Sequence, residues 1–188
     1  MLYDKLRHDL HVHKTVYRPL GDARILGRCV ERYAFGKMLD MGSGTGIQGI
    51  IGALKGCHVT FADINPNAVE CARENAMLNK AHGTFVVSDL FSRIREKFNT
   101  ISFDPPYLRS GPLSTARVNP ATDGGRGGRE VIERFLKEYK RYVMKRHVVL
   151  MVESYWNGYE HDIDELGAIV VDRIHYPLLG DCVVLKFQ

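Results

Sequence analysis

The sequence predicts an α/β fold, a mostly parallel seven-stranded sheet with helices on both faces and an antiparallel last strand. Three observations carry that reading. Short apolar runs alternate with segments of helical periodicity from residue 21 onward. Four of those runs end on an acid: Asp40, Asp63, Asp89 and Asp104. A glycine turn, Gly42-Ser-Gly-Thr-Gly46, follows the first run directly.

The elements follow in order. Ile25, Leu26, Cys29, Val30 and Tyr33 recur at helical spacing between Gly21 and Phe35. KMLDM (37–41) is a strand running into the glycine turn, and 47–55 is a helix in which Gly49 and Gly52 require tight packing on the sheet. HVTFAD (58–63) is the next strand. Asn65 as N-cap and Pro66 at the first position open a helix at about 66–80. TFVVSD (84–89) and NTISFD (99–104) are strands, the second stopped by Pro105-Pro106. After a polar, glycine-rich stretch (107–128), Val131, Ile132, Phe135, Leu136, Tyr139, Tyr142 and Val143 mark the strongest amphipathic helix. HVVLMVES (147–154) is a buried strand, and 168–174 and 181–187 form an antiparallel closing pair.

At 188 residues, 45% of them hydrophobic, the chain reads as one domain over 16–188 preceded by a polar arm, 1–15. The apolar content excludes disorder, and no run approaches the ~18–20 apolar residues of a membrane span. Met1–Lys14 lacks the apolar core of a secretory signal, so a cytoplasmic location is expected. Cys29, Cys57, Cys71 and Cys182 have no chelating spacing and read as reduced thiols. His8, His11 and His13 read as part of a solvated arm, and no metal site is expected.

In an open parallel sheet, ligands sit at the carboxyl ends of the strands, where the four acids would line one rim. Gly44-Thr-Gly46-Ile-Gln-Gly49 fits a dinucleotide fingerprint. That triplet begins two residues late, however, and a carboxylate at Asp40 would repel a pyrophosphate. The same carboxylate suits a cationic ligand without phosphate, such as S-adenosylmethionine. Gly42, Gly44 and Gly46 would let the backbone pass under its amino-acid part. Asp63 would accept the ribose hydroxyls, Asp89 the adenine amino group, and Leu90 would offer apolar contact. The pattern D-x-G-x-G-x-G, with a second acid 21 residues after Gly42, resembles the Rossmann-like class I methyltransferases.

Asp104-Pro105-Pro106-Tyr107 is the most specific string. Two prolines fix the backbone and remove two N–H donors, so carbonyl oxygens are presented without competition. With the Asp104 carboxyl they can grip a planar –NH2 group by both hydrogens, while Tyr107 offers a stacking face. Such a grip takes a delocalised nitrogen out of conjugation and stabilises the charge developing on it. These residues are the expected catalytic set.

With that turn in view, the chain resembles HemK-type methyltransferases, which methylate the glutamine of the Gly-Gly-Gln loop in release factors. The short archaeal and eukaryotic form is the nearest match, across residues 16–188. Its V-Y-x-P-x-E-D segment reads here as Val16-Tyr17-Arg18-Pro19-Leu20-Gly21-Asp22, and its D-G-G loop as Asp123-Gly124-Gly125. The resemblance implies that Tyr17 and Pro19 lie near the cofactor, with Ile64 beside Asp63 in the same set. It also implies a small zinc-ribbon partner subunit on the edge of the sheet, where Phe85, Val86 and Val87 would need cover. No counterpart of the extra N-terminal domain of bacterial members is expected. Two departures stand out: Gly21 replaces Glu, and Asp104 replaces the Asn of Asn-Pro-Pro-Tyr. Asp-Pro-Pro-Tyr resembles adenine amino-methyltransferases acting on RNA or DNA, which is the alternative reading.

Residues 124–147 hold eight Lys/Arg against three Glu, within a chain of net charge +4. That segment could face nucleic acid or an acidic partner, or be the solvated face of the helix. The stretch 108–128, with Arg109, Arg117 and Arg126, reads as a mobile substrate lid. Tyr155, Trp156 and Tyr159 read as core or lid packing.

Overall fold

The computed structural model describes residues 1–110, 120–177 and 180–188. Seven strands, β1 (Lys37–Met41), β2 (His58–Asp63), β3 (Gly83–Val87), β4 (Phe98–Phe103), β5 (Val143–Ser154), β6 (Ile169–Tyr176) and β7 (Gly180–Phe187), make one sheet in the order β3-β2-β1-β4-β5-β7-β6. The pairs among β1 to β5 are parallel, and β7 runs antiparallel to both β5 and β6. The strand order reverses between β1 and β4, which opens the crevice where such sheets bind ligands.

Period-two alternation splits the core in two. Met38, Val59, Phe61, Val148, Leu150 and Val152 face helices α2 (Gly21–Tyr33), α3 (Ile47–Leu54) and α4 (Pro66–Leu78). Leu39, Met41, Ile101, Phe103, Val149 and Met151 face α5 (Glu130–Glu138) and α6 (Tyr159–Leu166). Gly49 lets α3 close onto β2, because a Cβ there would collide with the Phe61 ring. Asn65 caps α4 as expected, its side chain accepting from Asn67 N at 3.0 Å with Pro66 at the first position.

Four expectations are corrected. Residues 1–15 are not a solvated arm: Leu2–Leu6 form α1, and Tyr3, Leu6 and Leu10 are buried in the first core. Each such side chain contributes roughly 1.5–3 kcal/mol when fully buried. The amphipathic helix stops at Glu138, where a 3-10 turn (Tyr139–Arg141) intervenes, so β5 begins at Val143 rather than 147. Residues Tyr159–Leu166, where no helix is expected, form α6. Finally, β3 ends at Val87, placing Asp89 in the following turn instead of at a strand end.

All four cysteines are free and buried. Among the described residues no helix is long and apolar enough to cross a membrane.

Candidate active site

Asp40 and Asp104 meet at the switch between β1 and β4. Asp40 pairs in register with Ser102, whose hydroxyl donates to Asp40 Oδ1 at 3.0 Å. Gly49 N, in the first turn of α3, donates to Asp40 Oδ2 at 2.9 Å. Burial still outweighs these donors and lifts the Asp40 pKa to about 7, with Asp63 adding to the rise. The carboxylate expected to meet a ligand amine is therefore also the strut that fixes the start of α3.

Gly42, Gly44 and Gly46 all have positive φ, as a turn under a ligand requires. Gly42 lies against the Phe103 ring and the Asp104 carbonyl, so the glycine turn and the reactive turn are neighbours. Asp63 accepts from Gly44 N through Oδ2 and from Asn65 N through Oδ1, both at 2.9 Å. Burial raises its pKa against those bonds. Beside it, the Ile64 side chain is 65% exposed, a large apolar surface at the edge of the crevice.

Asp104 has two carboxyl neighbours, Asp22 and Asp40; burial first, then these charges, raise its pKa well above the usual range. Asp22, at the start of α2 and 4% exposed, accepts from Ala23 N at 2.8 Å and from the Tyr107 hydroxyl at 2.5 Å. Tyr17 faces the same acids: burial, then Asp22 and Asp104, push its phenol pKa up. Tyr107 thus has its ring partly packed in the core and its hydroxyl tied down, while the residue stays partly exposed. Pro19 is partly buried and precedes Leu20, whose carbonyl accepts from the Tyr3 hydroxyl at 2.8 Å. Asp22 lay within the matched segment, yet it gave no separate signal, since an acid at a helix start also reads as a cap.

Ser88 N donates to Asp63 O at 2.8 Å, so the turn carrying Asp89 and Leu90 lies beside Asp63. Asp89 is exposed and paired with Arg134 at 2.7 Å, while Leu90 beside it is buried. The basic segment does not form one track. Arg129 and Arg134 are engaged in ion pairs and Arg146 lies over the Phe35 ring. Lys140, Arg141 and Lys145 lie at the amino end of β5, opposite the reactive turn, because Val143 pairs with Phe98 at the start of β4. Much of the expected lid, including Arg117, lies outside the described residues. Its ends are joined: Leu108 N donates to Thr122 O, Gly124 N to Leu108 O, and the Ser110 hydroxyl to Asp123.

Asp22, Asp40 and Asp104 share the crevice, and among the described residues none is paired with a Lys or Arg. The buried Ser43 hydroxyl in the glycine turn has no partner among the described residues. Buried carboxyl groups that no Lys or Arg among the described residues pairs, beside a glycine turn and a Pro-Pro turn, fit a cationic ligand and an amine acceptor.

The chain is similar to known proteins. A Methanocaldococcus jannaschii protein named "Putative protein N5-glutamine methyltransferase" is 38% identical over 160 residues, 84% of this chain and 81% of its own. The human methyltransferase HEMK2 is 34% identical over 134 residues, 64% of this chain and 63% of its own. Among solved structures, a chain of the E. cuniculi Mtq2–Trm112 complex, described as responsible for methylation of the eRF1 termination factor, superposes with a TM-score of 0.71. It is 22% identical and covers 93% of this chain and 98% of its own, which supports the fold. Residues 21–166 match the methyltransferase small domain, and the chain belongs to that family of enzymes.

Proposed function

We propose that this methyltransferase moves a methyl group from S-adenosylmethionine to the side-chain amide nitrogen of a glutamine in a release factor. The observation that carries the reading is the three-carboxyl crevice without a cation, set between the glycine turn and the Pro-Pro turn. Asp63 and the Gly42–Gly46 backbone would hold the ribose and amino-acid parts of the cofactor, with Ile64 and Leu90 against its base. When bound, the cofactor supplies an electrophilic methyl carbon on a positively charged sulfur. The Asp104 carboxyl and the proline-turn carbonyls accept the two N–H bonds of the acceptor amide and turn its lone pair toward that carbon. Asp89 would accept the adenine amino group in exchange for its exposed ion pair with Arg134.

The relatives' names support glutamine as acceptor. A small zinc-ribbon subunit belongs to the same proposal, carried by the resemblance. The test is incubation with methyl-labelled S-adenosylmethionine and a release factor, RNA or DNA. Label is expected on glutamine, with Asp104→Ala inactive and Asp104→Asn active. Label on adenine alone would establish the nucleic-acid reading instead.

A further inference from the structure

A turn that contains two prolines has few donors of its own with which to anchor itself. The sequence Asp104–Tyr107 must present acceptors to a substrate, so its remaining groups need ties from elsewhere. Besides the Tyr107 hydroxyl bond to Asp22, one tie, on the Tyr107 carbonyl, comes from a single buried side chain. Asn157, 2% exposed, sits in a 3-10 turn directly after β5. Its Oδ1 accepts from Ser154 N at 3.0 Å and from the Ser154 hydroxyl at 2.6 Å, which fixes which way the amide points. Its Nδ2 then donates to Tyr107 O at 3.0 Å and to Gly128 O at 2.9 Å.

We propose that Asn157 is a positioning residue for methyl transfer: its amide clamps the reactive turn to the 124–128 loop and thereby sets where the substrate-gripping acceptors stand. The proposal rests on the catalytic reading of the Asp104–Tyr107 turn given above.

The surroundings are built around this clamp. A Cβ at Gly124 would come 2.6 Å from Pro106 O, and one at Gly128 would come 2.5 Å from Tyr107 O. The loop is therefore packed backbone against backbone on the turn, at a distance only glycine allows. The clamp is itself held from behind. Arg129 donates to the Asn157 carbonyl at 2.6 Å, to Glu153 at 3.1 Å and to both oxygens of Asp162 at 3.0 Å. Glu153 and Asp162 are buried, so this cation is compensated inside the protein and is not available to a polyanion. One oxygen of Glu153 is buried without a partner among the described residues, and burial together with Asp162 raises its pKa. A proton on Glu153 relieves the pairing of two acids with one Arg. None of these bonds involves the glycine turn or Asp63, so the clamp acts on the acceptor side of the crevice alone.

Asn157→Asp tests this with almost no change of shape. It keeps the acceptor for Ser154 but turns an oxygen toward two carbonyls. The expected result is at least a tenfold fall in kcat with the dissociation constant for S-adenosylmethionine within twofold of wild type. Hydrogen–deuterium exchange should quicken in 106–110 and 122–128 and stay unchanged in 39–49 and 63–68. That second readout needs no turnover, so it reports on the clamp even if the acceptor proves not to be a glutamine. Unchanged kcat, unchanged exchange in 106–110, or a parallel loss of cofactor affinity would each overturn the proposal. If Asn157→Asp does not fold, Ser154→Ala, which removes one of the two donors that orient the amide, should give the same pattern at smaller amplitude.

Discussion

The Tyr107 hydroxyl donates to the carboxylate of Asp22 at 2.5 Å, joining the reactive turn to the first turn of α2 across 85 residues of chain. Asp22 is buried, and its other donor is its own neighbour, Ala23 N. Tyr107→Phe leaves that carboxylate short of a donor. A hydrogen bond to a charged group contributes about 1.5–3 kcal/mol, and urea unfolding should show a loss of that size. Asp22→Asn can still accept from the phenol and should lose less than Asp22→Ala. Equal losses in the two Asp22 variants would show that the hydroxyl bond does not hold the ring.

The acids of the crevice give stability a pH dependence of definite sign. Burial raises Asp104, with Asp22 and Asp40 adding to the effect, and burial raises Asp40 to about 7. Unfolded carboxyls ionise near ~3.9. Between that value and the folded ones the native state holds more protons, so its extra stability is present in acid and lost as pH rises. Urea midpoints should therefore fall from pH 5 to pH 8. Asp104→Asn, which cannot ionise, should flatten the fall and be the more stable form at pH 8. In its protonated form Asp104 is close in shape and charge to the Asn of the resembled turn. Parallel slopes for the two proteins would refute the assignment.

Asp63 serves two purposes, and its removal should show both. It holds Gly44 N and Asn65 N, so it shapes the glycine turn as well as offering lone pairs to a ribose. Asp63→Ala should weaken S-adenosylmethionine binding by at least the ~1.5–3 kcal/mol of charged hydrogen bonds lost. Calorimetry is the measurement. Binding within twofold of wild type would remove Asp63 from the cofactor site.

The parts of this fold legible in the sequence were those with a local signature. β1, β2 and β4 are apolar runs closed by Gly or Pro, and α4 carries its own Asn-Pro start. The amphipathic period misled at Tyr139–Val143, because Tyr142 and Val143 still pack on the second core after the helix has ended. α6, YEHDIDEL, turns Tyr159, Asp162, Ile163 and Leu166 inward, but it is only eight residues long and one of those inward positions is an acid, so its apolar pattern is weak. In the site, the string Asp104–Tyr107 and the glycines were readable from residue types alone. Asp22 and Asn157 were not, since their meaning lies in partners 85 and 50 residues away. The Asp89–Arg134 pair is hidden in the sequence for a similar reason, since the two residues lie 45 positions apart.

The outer edge of β3 gives the last prediction. β3 ends the sheet and pairs with β2 alone. Its side chains are better covered than the sequence suggests. Phe85 stacks on Phe61 with ring centroids 4.7 Å apart and lies under the Arg73 guanidinium, and Val86 is partly buried. Val87 is 41% exposed. What the edge offers a partner is therefore mainly backbone, and a strand added there would complete the ladder. Ser88 N donates inward to Asp63 O, so by the two-residue period of a strand the Val87 N–H points outward. Val87→Pro deletes that outward donor and spares the bonds to β2, a substitution edge strands tolerate. The variant should keep the wild-type Tm yet fail to copurify with a coexpressed zinc-ribbon subunit. Equal recovery of the subunit with wild type and variant would place the partner on another surface.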